Sequence, residues 1–107
     1  MNDDRITTGN GNITISAGDG KNAIRVGNGN HDITTGLGNS SISLGSGDHS
    51  VTLGQGTNQL RARDGNMTVS GGAGNDMLRL GNGDHSIDLG DGDNQVKLGM
   101  GEITVSA

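Results

Sequence analysis

The sequence predicts an all-β fold: a parallel β-solenoid of the β-roll type, with 18 residues and two strands in each coil. Three observations predict it. When the chain is divided every nine residues, counting from Gly9, it gives twelve units in unbroken register. The unit before Gly9, residues 1–8, lacks its first position. If the positions of a unit are called slots 1 to 9, slot 7 is aliphatic in all twelve units and slot 3 is glycine in eleven. Such a short, regular period is typical of stacked coils that share one continuous core.

The nine-residue unit consists of a turn followed by a strand. Slots 1 to 4 read mostly Gly-x-Gly-Asx, and glycine with Asn or Asp favours tight turns. Slots 5 to 9 alternate, so slots 7 and 9 are expected to face inward and slots 6 and 8 outward. The frequent glycines exclude long helices. The largest side chains at slot 9 are Leu44, Leu53, Leu80, Leu89 and Leu98.

Alternate units differ, which indicates how many of them make a coil. We call the incomplete first unit and every second one after it the A units, and the others the B units. Slot 5 holds only Asp, Asn or Ser in A units and only Ile, His or Met in B units, and slot 8 is basic only in A units. A coil of two units stacks like residues on like, so residues 1–107 are predicted to form a single domain of about six coils. At about 4.7–4.9 Å per strand the stack would be roughly 28 Å long.

The composition excludes several classes of function. The chain has no Cys, and therefore no disulfide framework and no thiolate metal site. Its net charge of −5 and its lack of aromatic residues argue against a nucleic-acid partner. No apolar run approaches the roughly 18 residues that a membrane helix needs, so no membrane insertion is expected. Because neighbours on a strand face opposite sides, Asp48, His49 and Ser50 cannot form a catalytic triad, and no enzymatic activity is expected.

Residues 71–78, GGAGNDML, resemble the repeats-in-toxin nonapeptide G-G-x-G-x-D-x-U-x, and the resemblance in period and glycine spacing covers the whole chain. It implies a parallel β-roll, commonly found in bacterial proteins exported by type I secretion. That route needs no N-terminal signal peptide, and residues 1–4 are too polar to belong to one. The resemblance therefore implies an extracellular or cell-surface location. The chain departs from the family because the calcium-binding Asp falls on slot 5, where only Asp4 and Asp76 are aspartates.

Slot 5 of the A units contains the calcium candidates. Asp76 is the best of them, with Asn58 and Asn94 one coil to either side and Asp4 as the other carboxylate in the column. Calcium takes about six to eight oxygen ligands. The same column of Asp, Asn and Ser could instead form a ladder of side-chain hydrogen bonds along the stack. We therefore expect folding to require no cofactor, with calcium as the cofactor left open.

Slot 5 of the B units contains the histidines. His31 and His49 are expected to be adjacent, with His85 separated from them by Met67. Two stacked imidazoles could hold zinc or sense pH. The alternative is that they are partly buried spacers beside the turn. Because this column offers Ile, Met and His rather than oxygen ligands, it is expected to bind no calcium.

The two outer faces differ in chemistry. The outward slots of the B units are Ser or Thr apart from Asp32 and Asp88. Flat arrays of this kind resemble the ice-binding faces of other solenoids, although an ordinary solvated face would look the same. The outward slots of the A units carry basic residues, which could meet the acidic turns of a neighbouring stack or be solvated.

The ends of the predicted stack lack a recognisable polar cap, which would leave unpaired strand edges as templates for another copy. With 107 residues, one short of twelve full units, a second copy placed after Ala107 would preserve register and parity. The predicted assembly interface consists of Ile13, Ile15 and Ala17 at one end and Ile103, Val105 and Ala107 at the other.

The leading interpretation is a secreted structural protein without enzymatic activity. Its only partner would be itself, in a head-to-tail homopolymer that forms a filament of a biofilm matrix or cell surface. The first alternative is a calcium-binding folding module of the repeats-in-toxin type in a type I-secreted protein. The second alternative is an ice- or surface-binding solenoid. A piece cut from a longer repeat protein would show the same matching ends.

Overall fold

The computed structural model describes residues 3–106, which contain twelve short strands and no helix. The strands are β1 (Arg5–Thr7), β2 (Ile13–Ala17), β3 (Asn22–Arg25), β4 (His31–Thr35), β5 (Ser40–Ser43), β6 (His49–Thr52), β7 (Asn58–Arg61), β8 (Met67–Ser70), β9 (Asp76–Arg79), β10 (His85–Asp88), β11 (Gln95–Lys97) and β12 (Ile103–Ser106). Each unit of the sequence contributes one strand. Over the described range no helix has the length and apolar character that crossing a membrane requires.

The strands form two parallel sheets of six strands each. Sheet A joins β1, β3, β5, β7, β9 and β11, which come from the A units, and sheet B joins the six strands of the B units. Paired residues are one coil apart, as Ile24 beside Ile42 in sheet A and Ile33 beside Val51 in sheet B. The prediction of 18 residues and two strands per coil is confirmed, and the fold is a parallel β-solenoid of about six coils.

The core lies between the two sheets and is built from three columns of side chains per sheet. Slots 7 and 9 face inward as predicted, with Ile33 and Leu60 almost completely buried. Slot 5 faces inward as well, since it lies on the same side of the strand as slots 7 and 9. Asn58 and His85 are consequently as buried as the aliphatic residues. The core is therefore aliphatic in its middle and polar along one side of each sheet.

The turns depend on glycine at slot 3. Every one of the eleven slot 3 glycines has a positive φ, between 112° and 143°. At Gly47 a β-carbon would also collide with the carbonyl oxygen of Gly29 in the coil before. Glycine is thus required at slot 3 both by the backbone conformation and by the close stacking of consecutive turns.

Asn and Asp in the turns connect each coil to the next. The backbone N–H of Asn30 donates to Oδ1 of Asn12 at 3.0 Å, and the N–H of Asp48 donates to Oδ1 of Asn30 at the same distance. The N–H of Asn66 continues the series by donating to Oδ1 of Asp48. Slot 4 favours Asx because its short side chain accepts a hydrogen bond from the amide one coil further along.

Candidate functional site: inner polar columns and end rungs

The six slot 5 residues of the A units form the inner A column, which runs along one side of the core. The N–H of Ser40 donates to Oδ1 of Asn58 at 3.0 Å, and the N–H of Asp76 donates to Oδ1 of Asn94 at 2.9 Å. Between them, the N–H of Asn58 donates to Oδ1 of Asp76 at 3.3 Å. The predicted ladder is confirmed in part, with backbone amides as its main donors, but it is interrupted at Ser40, whose buried Oγ has no hydrogen-bond partner. It brings Asn58, Asp76 and Asn94 together, whereas Asp4 lies at the far end of the stack.

Asn at slot 5 makes a second hydrogen bond, to the turn that precedes its own strand. Nδ2 of Asn22 donates to the carbonyl oxygen of Gly18 at 2.7 Å, and Nδ2 of Asn58 donates to that of Gly54 at 3.3 Å. Each of these carbonyls belongs to slot 1, four residues before the side chain. A slot 5 amide therefore satisfies one buried group of the coil before it and another of its own turn.

Asp76 occupies the same position but cannot make the second bond. Its Oδ1 accepts hydrogen bonds from the backbone N–H and from Nδ2 of Asn58, at 3.3 and 3.1 Å. Its Oδ2 is buried without a hydrogen-bond partner. Burial raises the pKa of the Asp76 carboxyl, an effect that the hydrogen bonds from Asn58 oppose. An ionised carboxylate has no proton to donate to the slot 1 carbonyl, so Asp76 is the weak member of the ladder.

Gly71 provides the space beside this carboxylate. It is the single glycine outside slots 1 and 3. A β-carbon at Gly71 would lie 2.7 Å from Oδ2 of Asp76 and 3.2 Å from Cδ2 of Leu89. The unpartnered oxygen of Asp76 thus faces the position where other units carry a slot 9 side chain. These two residues are also the glycine and aspartate of the segment that resembles the repeats-in-toxin nonapeptide.

The slot 5 residues of the B units form the inner B column, where His31 and His49 are stacked as predicted. Their ring centroids are 4.9 Å apart and their planes differ by 4°. Nε2 of His31 lies 2.8 Å from the carbonyl oxygen of Gly27, and Nε2 of His49 lies 2.9 Å from that of Gly45. Because a carbonyl oxygen only accepts, Nε2 is the donor in both bonds, and Nδ1 of each ring is buried without a hydrogen-bond partner.

The same geometry is repeated at His85, whose Nε2 lies 2.8 Å from the carbonyl oxygen of Gly81. Met67 separates this ring from the stacked pair, as predicted. The histidines therefore make the slot 5 to slot 1 bond that Asn makes in the inner A column. The parallel planes of His31 and His49 direct their Nδ1 lone pairs side by side rather than toward a common point. A tetrahedral zinc site needs convergent ligands, so the pair fits a structural role better than a zinc site.

His49 has the most perturbed environment of the inner B column. Burial lowers the pKa of the His49 imidazole, and the neighbouring His31 lowers it further. The hydrogen bond to Gly45 and the charge of Asp48 act in the opposite direction without reversing the shift. The ring is consequently held in its neutral form, which is the form that stacks on a second imidazole without charge repulsion.

The end rung at β12 exposes two apolar side chains at positions that are buried in the four coils before it. Ile103 is 38% exposed and Val105 is 45% exposed, whereas His85 and Ile87, directly beside them in β10, are each 2% exposed. At the other end Ile15 and Ala17 are already buried, and Ile13 is half-buried. The exposed aliphatic surface of the predicted interface is therefore concentrated at β12. Ala107, the sixth predicted interface residue, lies outside the described residues.

The backbone of β12 is also open on the side that faces away from the stack. Slot 5 amides bond to the following coil, as the N–H of His49 does to the carbonyl of Asn66 and the N–H of Met67 to that of Asp84. In β12 the equivalent amide is that of Ile103. Among the strands of residues 3–106, β12 pairs with β10 of the coil before it and with no other. The edge of sheet B thus presents both hydrogen-bonding groups and apolar side chains to a partner.

The bonds from slot 5 to slot 1 were not predicted from the sequence. The repeat pattern indicated a ladder in A units and spacers in B units, without a common role for slot 5. The signal was present, because Asn and His are the two slot 5 residue types that carry a nitrogen donor, and they fill six of the twelve positions. The partner could not be identified from the pattern, since the glycine carbonyl that accepts the bond leaves no trace in the sequence.

No protein-family model, curated protein or solved structure matches the chain. Membership of the repeats-in-toxin family, which residues 71–78 suggest, remains a prediction. The function of the chain must therefore be inferred from the geometry of its own stack.

Proposed function

We propose that the chain is a structural protein whose solenoids stack head to tail into a filament, at the cell surface or in the extracellular matrix. The observation that carries the proposal is the exposure of Ile103 and Val105 at the end of columns that are otherwise buried. A second copy that placed its β1 on β11 and its β2 on β12 would continue both sheets. The first coil of the second copy would then cover Ile103 and Val105 with the residues of its own slots 5 and 7.

The apolar contacts of such a junction pair like residues. Ile13 of the second copy would lie over Ile103, and Ile15 over Val105, in the register that relates β10 to β12. Because Ile103 and Val105 are more than half buried already, covering them contributes about 1 kcal/mol each. The backbone hydrogen bonds of two new strand pairs add about 0.5–1.5 kcal/mol each. A rigid solenoid end loses little freedom on binding, so more of this free energy remains as affinity.

The polar columns would continue across the same junction. In the inner A column the amides of Asp4, Ser40, Asn58 and Asp76 donate to the slot 5 side chain of the following coil. The amide of Asn94 would then donate to the carboxylate of Asp4 in the second copy. This gives Asp4 a role in assembly that needs no calcium.

Substitution of Ile103 tests the proposal. The wild-type chain should form filaments, and Ile103→Lys should give monomers or short oligomers, because a charge would be buried in the apolar inner B column of the junction. Gln55→Lys is the matched control, since it adds the same charge at an exposed turn position in the middle of the stack, away from both ends and both outer faces. Sedimentation velocity and electron microscopy provide the measurement, with circular dichroism to verify that each variant is folded. A wild-type chain that stays monomeric at all concentrations, or filaments of Ile103→Lys, would contradict the proposal.

Calcium binding is the second candidate function, and the unpartnered Oδ2 of Asp76 beside Gly71 favours it. Within residues 3–106 no three His, Asp or Glu side chains converge on a common point, so most ligands would have to be backbone carbonyls. Far-UV circular dichroism in chelator and then in millimolar calcium distinguishes the two candidates. A β spectrum in chelator supports the structural protein. A coil that becomes β only with calcium would favour the folding module.

The ice- or surface-binding alternative rests on the outer face of sheet B. Its Ser and Thr residues are aligned from strand to strand, as Ser50 with Thr68 and Thr52 with Ser70. Asp32 and Asp88 interrupt the array and would disturb a repeating match to ice. Thermal hysteresis of the purified chain is the direct test, and a clear hysteresis gap would favour this alternative over assembly.

A further inference from the structure

The outer face of sheet A concentrates the positive charge of the molecule. It carries five of the seven basic residues and none of the twelve acidic ones, although the net charge is −5. The five are Arg5, Arg25, Arg61, Arg79 and Lys97, all with exposed side chains. The four arginines line a groove of about 680 Å³ that runs along the stack. This face is therefore an uncovered basic surface on an acidic molecule.

The outer face of sheet B has the opposite character. Its ionisable residues are Asp32 and Asp88, both exposed, and its other ten outward positions are Ser or Thr. Small side chains leave this face flat, and its charge is negative. The two broad faces of the solenoid are thus complementary to each other in charge.

The charges also match in position along the stack. Arg25 in β3 and Asp32 in β4 belong to the same coil, and Arg79 in β9 and Asp88 in β10 belong to the same coil three coils further on. A copy displaced sideways, without a shift along the stack, brings the sheet A face of one molecule against the sheet B face of the other. In this arrangement Asp32 of one copy lies at the level of Arg25 of the other, and Asp88 at the level of Arg79.

The alignment holds across the strands as well. The chain reverses direction between the two strands of a coil, so slot 8 of sheet A and slot 6 of sheet B lie on the same side of the middle core column at slot 7. Arg25 is at slot 8 and Asp32 at slot 6, which places them on the same side of their coil. Arg79 lies on the same side of its coil as Ser86. Asp88 is two residues from Ser86 along the strand, or about 6.6 Å, a distance that an arginine side chain can span. This in-register arrangement also keeps all coils of the two molecules in contact.

We propose that solenoids associate side by side, with the sheet A face of one copy docked on the sheet B face of a second copy. The molecule measures 37 × 32 × 15 Å, and its broad faces can bury the roughly 800 Å² per partner of a standard interface. Because the two surfaces differ, the contact is heterologous and builds a row rather than a closed dimer. Combined with the proposed head-to-tail stacking, it would turn single filaments into ribbons.

A charge-reversal pair tests the lateral contact. Arg25→Asp should weaken side-by-side association at least tenfold, because it sets a carboxylate against Asp32 of the next copy. Adding Asp32→Arg to the same chain restores opposite charges in every contact and should restore association. Arg63→Asp is the matched control, since it makes the same charge change in a turn, away from both faces. Association is measured by sedimentation velocity at low and high ionic strength, and filament width by electron microscopy.

The outcomes separate this inference from the proposed function. Loss of the lateral contact leaves long filaments of single width, whereas loss of head-to-tail contacts, as in Ile103→Lys, leaves short rows of unchanged width. High salt should dissociate the lateral contact, because it rests on charge pairs, and should leave the apolar head-to-tail junction intact. Equal effects of Arg25→Asp and Arg63→Asp, or no rescue by Asp32→Arg, would overturn the inference. So would a wild-type chain that stays single at low salt and instead binds a polyuronate or polyphosphate through the arginines.

Discussion

Each slot 5 side chain of the inner A column has two buried groups to satisfy: the amide of the coil before it and the slot 1 carbonyl of its own turn. Asn58 satisfies both, because its Oδ1 accepts from the amide of Ser40 while its Nδ2 donates to the carbonyl of Gly54. Asp76 satisfies the first group alone and leaves Oδ2 without a partner. At the residue scale, the stability of a coil therefore depends on whether slot 5 can donate a hydrogen bond.

Asp76→Asn should consequently stabilise the solenoid. The substitution removes a buried carboxylate and supplies an Nδ2 donor for the slot 1 carbonyl, here that of Gly72. We expect the free energy of unfolding at pH 7 to rise by about 1–3 kcal/mol, the range for satisfying a buried polar group. Chemical denaturation in the presence of chelator measures it.

Asn58→Asp is the reverse substitution and should destabilise by more than Asp76→Asn stabilises, since it introduces the same defect one coil earlier, removes the Nδ2 bond to Asp76 and sets a second carboxylate beside that of Asp76. The interpretation would be wrong if Asp76→Asn lowered the stability in chelator. A loss of stability seen only in calcium-containing buffer would instead identify Asp76 as a calcium ligand.

The inner B column shows how neighbouring strands act together. β4 and β6 hold His31 and His49 in a stack, and Met67 of β8 lies on the other side of His49. Protonation of His49 would place a positive charge in this buried column beside a second imidazole. The lowered pKa of His49 means that the folded chain binds the His49 proton less readily than the unfolded chain does.

The contribution of His49 to stability should therefore depend on pH. It is fully present above the pKa of the unfolded chain, about 6.5, and is lost as the pH falls from there through the lower pKa of the folded state. The slope is at most about 1.4 kcal/mol per pH unit, the limit for one proton. His49→Asn keeps a nitrogen donor at slot 5 without titrating in this range, so its free energy of unfolding should fall less between pH 7.5 and pH 5 than that of the wild type. Equal slopes for the two chains would show that His49 does not sense acid.

Much of this element-level architecture could be predicted from the sequence, because the coil length leaves a visible trace. The split between Asn at slot 5 of A units, such as Asn58, and His at slot 5 of B units, such as His49, repeats every 18 residues and predicts the stacking partners directly. The hydrogen bond from His49 to Gly45 could not be predicted in the same way. It depends on the rotamer of the ring and on the direction of a glycine carbonyl, and neither is encoded in the repeat pattern.

At the scale of the whole molecule, the solenoid presents three kinds of surface. The end at β12 is apolar, with Ile103 and Val105 exposed, and continues the register of the coils before it. The face of sheet A is basic and the face of sheet B is acidic and flat. The paired ends and the different chemistry of the two outer faces could both be predicted from the repeat, since both follow from slot positions. The apolar end at β12 and the charged faces are the surfaces on which the two proposed contacts depend.

Cryo-electron microscopy of the assembled wild-type chain tests the central claim of head-to-tail stacking most directly. The account predicts a continuous solenoid in which the strands are spaced by about 4.7–4.8 Å and the pattern of side chains repeats every six coils, or roughly 28–29 Å along the axis. Side-chain density for β2 of one copy should lie directly over β12 of the preceding one. Discrete particles, or fibrils with a 4.7–4.8 Å repeat and no 28–29 Å repeat, would contradict it, since the latter would mean that identical strands stack on one another as in amyloid.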